Sequence, residues 1–484
     1  MNPDLLDSAA ALKRILTPKS LAVVGASDNF MNPATNLLST IITCGFEGDI
    51  FVIHPREKTA LGKPAYPSIA DLPEPIDLAI IVVSNKVVPK VLEDCGKRGV
   101  KHAVVITAGY REMGPEGEAM ERELLETARK NGIRFTGPNC IGIINTSVKL
   151  NCSMFYSEGK PGGMGLVSQS GSYVTQPLHY FYQHGMNLSC AVSAGNQSDI
   201  DIADSLVFFA DDEHTRSVAA YVEGFTDGEK FLEAARYTTR KKPVVVLYVG
   251  GTEEGSRSGK SHTGAVATDD AVADAVFHQS GVIRAGGVED LFDFAHAFSV
   301  QPLPKGDRVA VITNSGGPGT SMVDAAARLG LSIPEFSPEL QKKLREVVVH
   351  TAQVGNPVDI TMDFDLERFF VTLPKIVLDS GEADAILFYG VFSGAHAKKK
   401  MDILNRPEAA MLEQYDEFLT GYIETFVQAV ADAGIPLVAA SFNGKLDTPV
   451  ARMMEMGVPV YPTPERAAAA LAVMNRYARW RDGL

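Results

Sequence analysis

The chain has 484 residues, enough for roughly three domains of ordinary size. Its formal net charge of −14 argues against nucleic acid or an anionic membrane surface as the main partner. It does not argue against a phosphate-bearing ligand, because backbone N–H groups at helix N-termini bind phosphate whatever the global charge. Cys44, Cys95, Cys140, Cys152 and Cys190 form no C-x-x-C pair, so reduced thiols in a cytoplasmic protein and no metal site are expected. The N-terminus is acidic and no apolar run approaches a membrane span, so neither a signal peptide nor a transmembrane helix is expected.

The first domain is placed at residues 1–150. Residues 20–24 are a short apolar run ending in Gly25-Ala26-Ser27, the form of a first strand and phosphate turn in a Rossmann-type sheet. A full G-x-G-x-x-G is absent, so this turn alone does not define a dinucleotide site. Apolar runs at 49–54, 78–83, 102–107 and 134–137 alternate with helical spacing at 88–98 and 117–131. That alternation predicts a parallel sheet with helices on both faces, whose ligands bind at the carboxyl ends of the strands. Those ends carry His54-Pro55-Arg56, Val83-Ser84-Asn85, Thr107-Ala108-Gly109-Tyr110 and Gly137-Pro138-Asn139-Cys140. Small residues there let a ligand approach the backbone, and Arg56 is a candidate phosphate partner. Each of these stretches taken singly reads better as a tight turn.

The second domain is placed at residues 151–302. Residues 164–168 read as a strand that runs through Ser168-Gln169-Ser170-Gly171 into a helix over 173–182. Free N–H groups at such a turn, with serine hydroxyls beside them, make a phosphate seat. A serine nucleophile is the rival reading, but the pattern is S-x-S-G rather than G-x-S-x-G. Strands at 188–192 and 218–222 follow, the second ending at Glu223. A carboxylate there orients an imidazole or is simply solvated. Residues 243–249 read as a buried strand and 265–279 as a helix, with Ser261-His262-Thr263-Gly264 in the small-residue loop between them. A neutral imidazole in that position is able to attack a phosphoryl group. Taken alone it is a surface histidine.

The third domain is placed at residues 303–484. A strand at 308–313 leads through Asn314-Ser315-Gly316-Gly317-Pro318 into a helix, a second phosphate-turn unit. Gly355-Asn356-Pro357-Val358-Asp359 echoes Gly195-Asn196 with Asp199 to Asp201, so two similar open sheets in tandem, with facing phosphate seats, are expected. Further strands are expected at 385–389, 437–440 and 458–461, and a surface excursion over 392–417.

Several stretches in this order resemble the alpha subunits of NDP-forming (ADP-forming) acyl-CoA synthetases, relatives of succinyl-CoA synthetase. They are Val23-Val24-Gly25-Ala26-Ser27, Thr107-Ala108-Gly109-Tyr110 with Glu112, Gly137 to Cys140, Ser168 to Gly171, Ser193 to Asn196, Tyr221-Val222-Glu223, Ser261 to Gly264 and Thr313 to Gly317. The resemblance implies an α/β chain with a Rossmann-type CoA-binding domain and two flavodoxin-like ligase domains. Coenzyme A would lie on Gly25, Ala26, Ser27, Pro55, Arg56, Val83, Ser84, Thr107, Ala108, Gly109, Glu112, Asn139 and Cys140, its thiol end near Asn139. His262 would carry a phosphoryl group and Glu223 would hydrogen-bond its imidazole. Ser168, Gln169, Ser170, Gly171, Asn314, Ser315, Gly316 and Gly317 would hold phosphate.

The resemblance further implies an acid–thiol ligase acting on a small carboxylic acid and its acyl-CoA. ATP or ADP and Mg2+ would sit on a partner ATP-grasp beta subunit in an oligomeric assembly. The chain departs from the family pattern at Tyr248 to Thr252, where Lys-x-Gly-Arg is usual, and at His54-Pro55-Arg56, where Asn-Pro-Lys is usual. A non-catalytic CoA or acyl-CoA sensor of the same fold is the alternative. An NAD(P)-linked oxidoreductase fits the first domain alone, although the second strand ends in His54-Pro55-Arg56 rather than an acidic residue.

Overall fold

The computed structural model describes residues 2–483 except 157–158, 256, 258, 260–268, 362, 364, 391–398, 400–401, 406–408 and 446. Short, wholly apolar segments become its buried parallel strands, because helices cover both faces of each sheet. The first sheet comprises β1 (Ser20–Val24), β2 (Asp49–Ile53), β3 (Thr59–Ala60), β4 (Lys63–Tyr66), β5 (Leu78–Ile81), β6 (His102–Val105) and β7 (Arg134–Thr136). Their order is β3-β4-β2-β1-β5-β6-β7. Setting aside the antiparallel β3, this is the 3-2-1-4-5-6 order of a Rossmann sheet.

The second sheet holds β8 (Ile143–Asn145), β9 (Leu150–Asn151), β10 (Met164–Ser168), β11 (Leu188–Ser193), β12 (Ser217–Val222), β13 (Val244–Tyr248) and β14 (Ile283–Arg284). In the order β14-β13-β12-β10-β11-β8-β9, the parallel strands β10 to β14 follow the flavodoxin arrangement 2-1-3-4-5 read from the far edge. Antiparallel β8 and β9 extend it. The third sheet, of β15 (Val309–Thr313), β16 (Val358–Asp359), β17 (Ala385–Tyr389), β18 (Leu437–Ala440) and β19 (Val460–Tyr461), runs β16-β15-β17-β18-β19. That is 2-1-3-4-5 once more.

The chain forms two compact units, Met1–Tyr182 with Asn187–Leu291, and Gln183–Met186 with Phe292–Leu484. The first two sheets share one unit and one core: Leu21 and Val52 belong to the same buried cluster as Val167, Val192 and Val218. β8 joins the second sheet at Ile143, ahead of the boundary expected at residue 150. Helix Pro3–Leu16 ties the two sheets together. Ser8 Oγ takes a hydrogen bond from Arg134 of β7 at 2.9 Å, and the Leu16 carbonyl takes one from Asn145 of β8 at 3.0 Å. The second unit has its own core around Phe369, Phe388 and Phe426.

The helix expected over 173–182 is two pieces, Ser172–Thr175 and Leu178–Gln183, because Pro177 has no N–H to carry the ladder through. The helix expected over 265–279 is seen as Asp270–Ser280, its first expected residues lying outside the described ones. Of the expected excursion over 392–417, most of 392–408 also lies outside them, and residues 409–417 belong to helix Ala409–Ala433. Among the described residues no helix is long and apolar enough to cross a membrane.

Candidate functional site

Open parallel sheets bind ligands where the strand order reverses, and the first such point lies between β1 and β5. Gly25 ends β1 at φ +106°, and a Cβ there would stand 2.5 Å from the Val82 carbonyl oxygen beyond β5. Only glycine fits. Its N–H donates to Ile53 O at 2.8 Å, Ala26 is fully buried, and the Ser27 N–H donates to Thr35 Oγ1 at 3.1 Å. The next helix starts only at Pro33, capped by Asn32, whose Nδ2 also donates to Gly25 O at 2.7 Å. A loop over 28–32 thus separates the turn from the helix.

Around this point Pro55, Arg56, Ser84 and Ala108 are exposed and Val83 is half-buried. Thr107 Oγ1 donates to Val83 O and Asn85 Nδ2 to Gly109 O, both at 2.8 Å, which ties the loops after β5 and β6 together. Cys140 is the exception. Its thiol is buried, donates to Val105 O at 3.3 Å, and is pushed up to about 12 by burial.

Residues 137–142 run from the end of the first sheet into the second. Asn139, at φ +56°, donates its N–H to Thr107 O at 2.9 Å. Asn196 N–H donates to Pro138 O at 2.9 Å, Ser198 N–H to Gly137 O at 3.2 Å, and Ile141 N–H to Ser193 Oγ at 3.1 Å. A Cβ at Gly195 would overlap the Pro138 carbonyl, and one at Gly171 would meet Ile141 Cβ at 2.9 Å. Both glycines are required by close approach of two backbones.

A polar network fills this junction. Glu112 Oε1 accepts from the N–H groups of Gly109 at 2.6 Å and Tyr110 at 3.0 Å. Asn196, fully buried, gives its Nδ2 hydrogens to Glu112 Oε2 at 2.7 Å and Glu121 Oε2 at 2.8 Å, and its Oδ1 accepts from Asn139 Nδ2 at 3.2 Å. Glu121 also accepts from the Arg111 N–H at 3.1 Å and from Ser198 Oγ at 2.5 Å. Burial opposes ionisation of Glu112, but the donors from Asn196, Tyr110 and Gly109 outweigh it and lower its pKa. Beside the network an open cleft of about 630 Å³ is lined by Arg111, Glu112, Glu121, Gln197 and Ser198.

The second reversal point lies between β10 and β12, and Gln169 spans it. Its Nε2 donates to Gly224 O at 3.1 Å, and its Oε1 accepts from the N–H of Glu223 and from that of Gly224 at 3.1 Å. Glu223 therefore stands beside the serine turn, only 5% exposed. The phenol of neighbouring Tyr221 has its pKa raised, first by burial and then by the Glu223 charge. Tyr173 stacks on Tyr221 with centroids 4.1 Å apart. Ser168 Oγ donates to Ser170 O at 2.6 Å. The backbone N–H groups of Ser170, Gly171 and Ser172 have no acceptor among the described residues. The helix that follows is only four residues long, so the seat owes its field to these local N–H dipoles rather than to a macrodipole.

Replacing Gln169 with glutamate keeps its shape but sets a carboxylate oxygen against Gly224 O. The unfolding midpoint in denaturant should fall at unchanged slope, a loss of about 1–3 kcal/mol in stability. An unchanged midpoint would show that the crossing contributes nothing.

The third reversal point lies between β15 and β17. Asn314 N–H donates to Tyr389 O at 3.4 Å and the Ser315 N–H to Thr313 Oγ1 at 3.0 Å. Helix Gly316–Arg328 begins with exposed Gly316 and Gly317, and Pro318, in its first turn, needs no N–H partner. A carboxylate already stands here: Asp359 Oδ2 would be 3.1 Å from a Cβ on Gly316. This turn and the serine turn are therefore not equivalent. Nor does the sequence echo extend to side-chain roles, because Asn356 stitches Val309, Val311 and Pro334 backbone groups together, whereas Asn196 holds carboxylates.

Ser261, His262, Thr263 and Gly264 lie outside the described residues. Sequence reasoning missed Glu121 and Ser198, which carry no motif of their own. The available signal was Gly195-Asn196, read as part of a repeat and, within Ser193 to Asn196, as part of the family resemblance.

One Rossmann sheet and two flavodoxin-type sheets, each with a small-residue turn at its reversal point, define a CoA-ligase type of α/β protein. Family models agree: residues 19–146 match a CoA binding domain, 161–298 a succinyl-CoA ligase like flavodoxin domain, and 309–375 a ligase-CoA domain. The chain is 35% identical over 480 residues to the acetate–CoA ligase [ADP-forming] I subunit alpha of Pyrococcus furiosus, covering 97% of this chain and 98% of that one. It is 33% identical to the 4-hydroxybutyrate–CoA ligase [ADP-forming] of Nitrosopumilus maritimus, covering 96% of this chain but 64% of that one. It is similar in structure to the dinucleotide forming acetyl-coenzyme A synthetase 1 of Ca. Korarchaeum cryptofilum, in complex with phosphate and ADP. The TM-score is 0.84 at 30% identity, with 97% of each chain covered. The chain belongs to the ADP-forming acyl-CoA synthetases, as an alpha-type chain.

Proposed function

We propose that the chain catalyses the alpha-type steps of acyl-CoA + phosphate + ADP ⇌ acid + CoA + ATP. A phosphate oxygen attacks the thioester carbonyl, the C–S bond breaks, and the coenzyme A sulfur leaves and takes up a proton. The acyl phosphate then passes its phosphoryl group to a nitrogen of His262, releasing the acid. ADP takes the phosphoryl group on a partner ATP-grasp subunit, where we also place Mg2+. Three domains, the first ending ahead of β8 rather than at residue 150 and the second and third divided at 302, a cytoplasmic setting and an oligomeric enzyme are part of the same reading. That several relatives are named alpha subunits supports the separate partner.

The observation that carries the reading is the junction at residues 137–142. It sets Asn139 at the ligand edge of the Gly25 sheet within one hydrogen-bonded segment of the Ser168 to Gly171 turn, which Gln169 in turn fastens to Glu223. Thiol, acyl carbon and phosphate must meet in that order during thioester chemistry. Seats for coenzyme A and phosphate so joined supply the positioning that phosphoryl and acyl transfer chiefly require. At the serine turn, N–H groups with no partner among the described residues stabilise anionic charge without giving up a proton.

Calorimetry tests the first step of this assignment. Coenzyme A should bind the chain with measurable heat, NAD should give none, and Gly25→Val should abolish the coenzyme A signal. Heat from NAD but none from coenzyme A would return the first sheet to the oxidoreductase reading.

A further inference from the structure

We propose that Asn196 is a positioning residue that fixes the polarity of the Asn139 side chain, so that Asn139 offers its carbonyl oxygen to the thiol hydrogen of coenzyme A. The proposal rests on the reading above, which puts the thiol end of coenzyme A at Asn139.

An amide side chain has one end that donates and one that accepts, and its neighbours decide which way it lies. Glu112 Oε2 and Glu121 Oε2 both take hydrogens from Asn196 Nδ2, at 2.7 and 2.8 Å. An ionised carboxylate accepts only, and Glu112 is held ionised by its donors. Turning Asn196 over would set its oxygen against both glutamates in a fully buried position, which is costly. Asn196 Oδ1 is thereby committed to face Asn139, and Asn139 must answer with a donor, its Nδ2, at 3.2 Å. The other end of that amide, Oδ1, accepts from no donor among the described residues.

The side chain is half-buried, and it belongs to the segment joining the ligand edge of the first sheet to the phosphate turn. An oxygen committed to accepting cannot recognise phosphate or carboxylate, which offer it no hydrogen. It selects a hydrogen donor, and the terminal donor of coenzyme A is its S–H. The backbone is built to hold it there: Asn139 is left-handed at φ +56°, a conformation that asparagine tolerates, and its N–H is fixed on Thr107 O.

The test compares coenzyme A with desulfo-coenzyme A by calorimetry on the full chain. The wild type should prefer coenzyme A by about threefold, the size of one weak hydrogen bond. Asn139→Gly keeps the backbone conformation and removes the oxygen. Asn196→Ser keeps a donor for the glutamates and releases the Asn139 amide. Both should bring the preference to about one, a discrimination that a merely structural role would not move. Equal binding of the two ligands by the wild type, or a preference retained in Asn139→Gly, overturns the proposal. A preference retained in folded Asn196→Ser overturns the positioning role; should that variant not fold, Asn139→Gly alone decides. Absence of coenzyme A binding by the wild type would instead remove the reading beneath it.

Discussion

Replacing His262 with alanine should abolish the protein-bound label formed from acyl-CoA and radioactive phosphate, and should lower synthesis by the assembled enzyme at least about a thousandfold. In this scheme the acyl phosphate on one side and ADP on the other never meet, so a carrier has no substitute. The bond made is P–N, which predicts a label lost in acid and kept in base. The serine turn supplies N–H groups with no acceptor among the described residues, and Glu223 supplies a buried carboxylate whose charge is felt by the Tyr221 phenol. A carboxylate accepting one imidazole N–H makes the opposite nitrogen the better nucleophile. Glu223→Gln should therefore slow labelling by about tenfold or more and leave coenzyme A affinity unchanged. A label that persists in His262→Ala would move the nucleophile elsewhere, with Ser168 and Ser170 next to be replaced.

The purified chain by itself should make no acyl-CoA from acid, ATP and coenzyme A. Adding a separately purified ATP-grasp subunit should create turnover in the ordinary range of about 1–10³ per second. The proposed reading gives every reversal point among the described residues a ligand: coenzyme A at Gly25, phosphate at Ser168 to Gly171, and a second phosphate at Asn314 to Gly317, where Asp359 also stands. None is left for a nucleotide. Sustained synthesis by the chain, with a single polypeptide on a gel, would show that the nucleotide is handled here and would overturn the division of labour.

The parallel strands were legible because each is a short apolar run closed by turn residues, and both faces of such strands are buried. The runs at 20–24, 188–192 and 385–389 predict β1, β11 and β17 almost to the residue. β3, β4, β8, β9, β14 and β16 were not: five of them are segments of two or three residues with too little length to read, and β4 carries Pro64, which argues against a strand. The broken helix at Pro177 is a different failure, where the spacing of apolar residues outweighed a proline in plain view. At the site, the glycine and serine turns announced themselves through local chemistry. The Asn196 network did not, because Glu112 and Glu121 reach it from 84 and 75 residues away, and a contact of that range leaves no mark in either stretch.

Because residues 137–151 serve both sheets of the first unit, they restrict where a gene of this kind divides. A break at residue 150 would strip Ile143–Asn145 of its partners Cys190 to Val192 and expose strand edges that invite aggregation. It would also part Asn139 from Asn196. A break beyond helix Val288–Val300 cuts no strand pairing, and it leaves the cluster around Val167 and the cluster around Phe369 each on one side. Fission and fusion in this lineage should therefore favour the far side of the second sheet, so that the coenzyme sheet and the serine-turn sheet are inherited as a single piece.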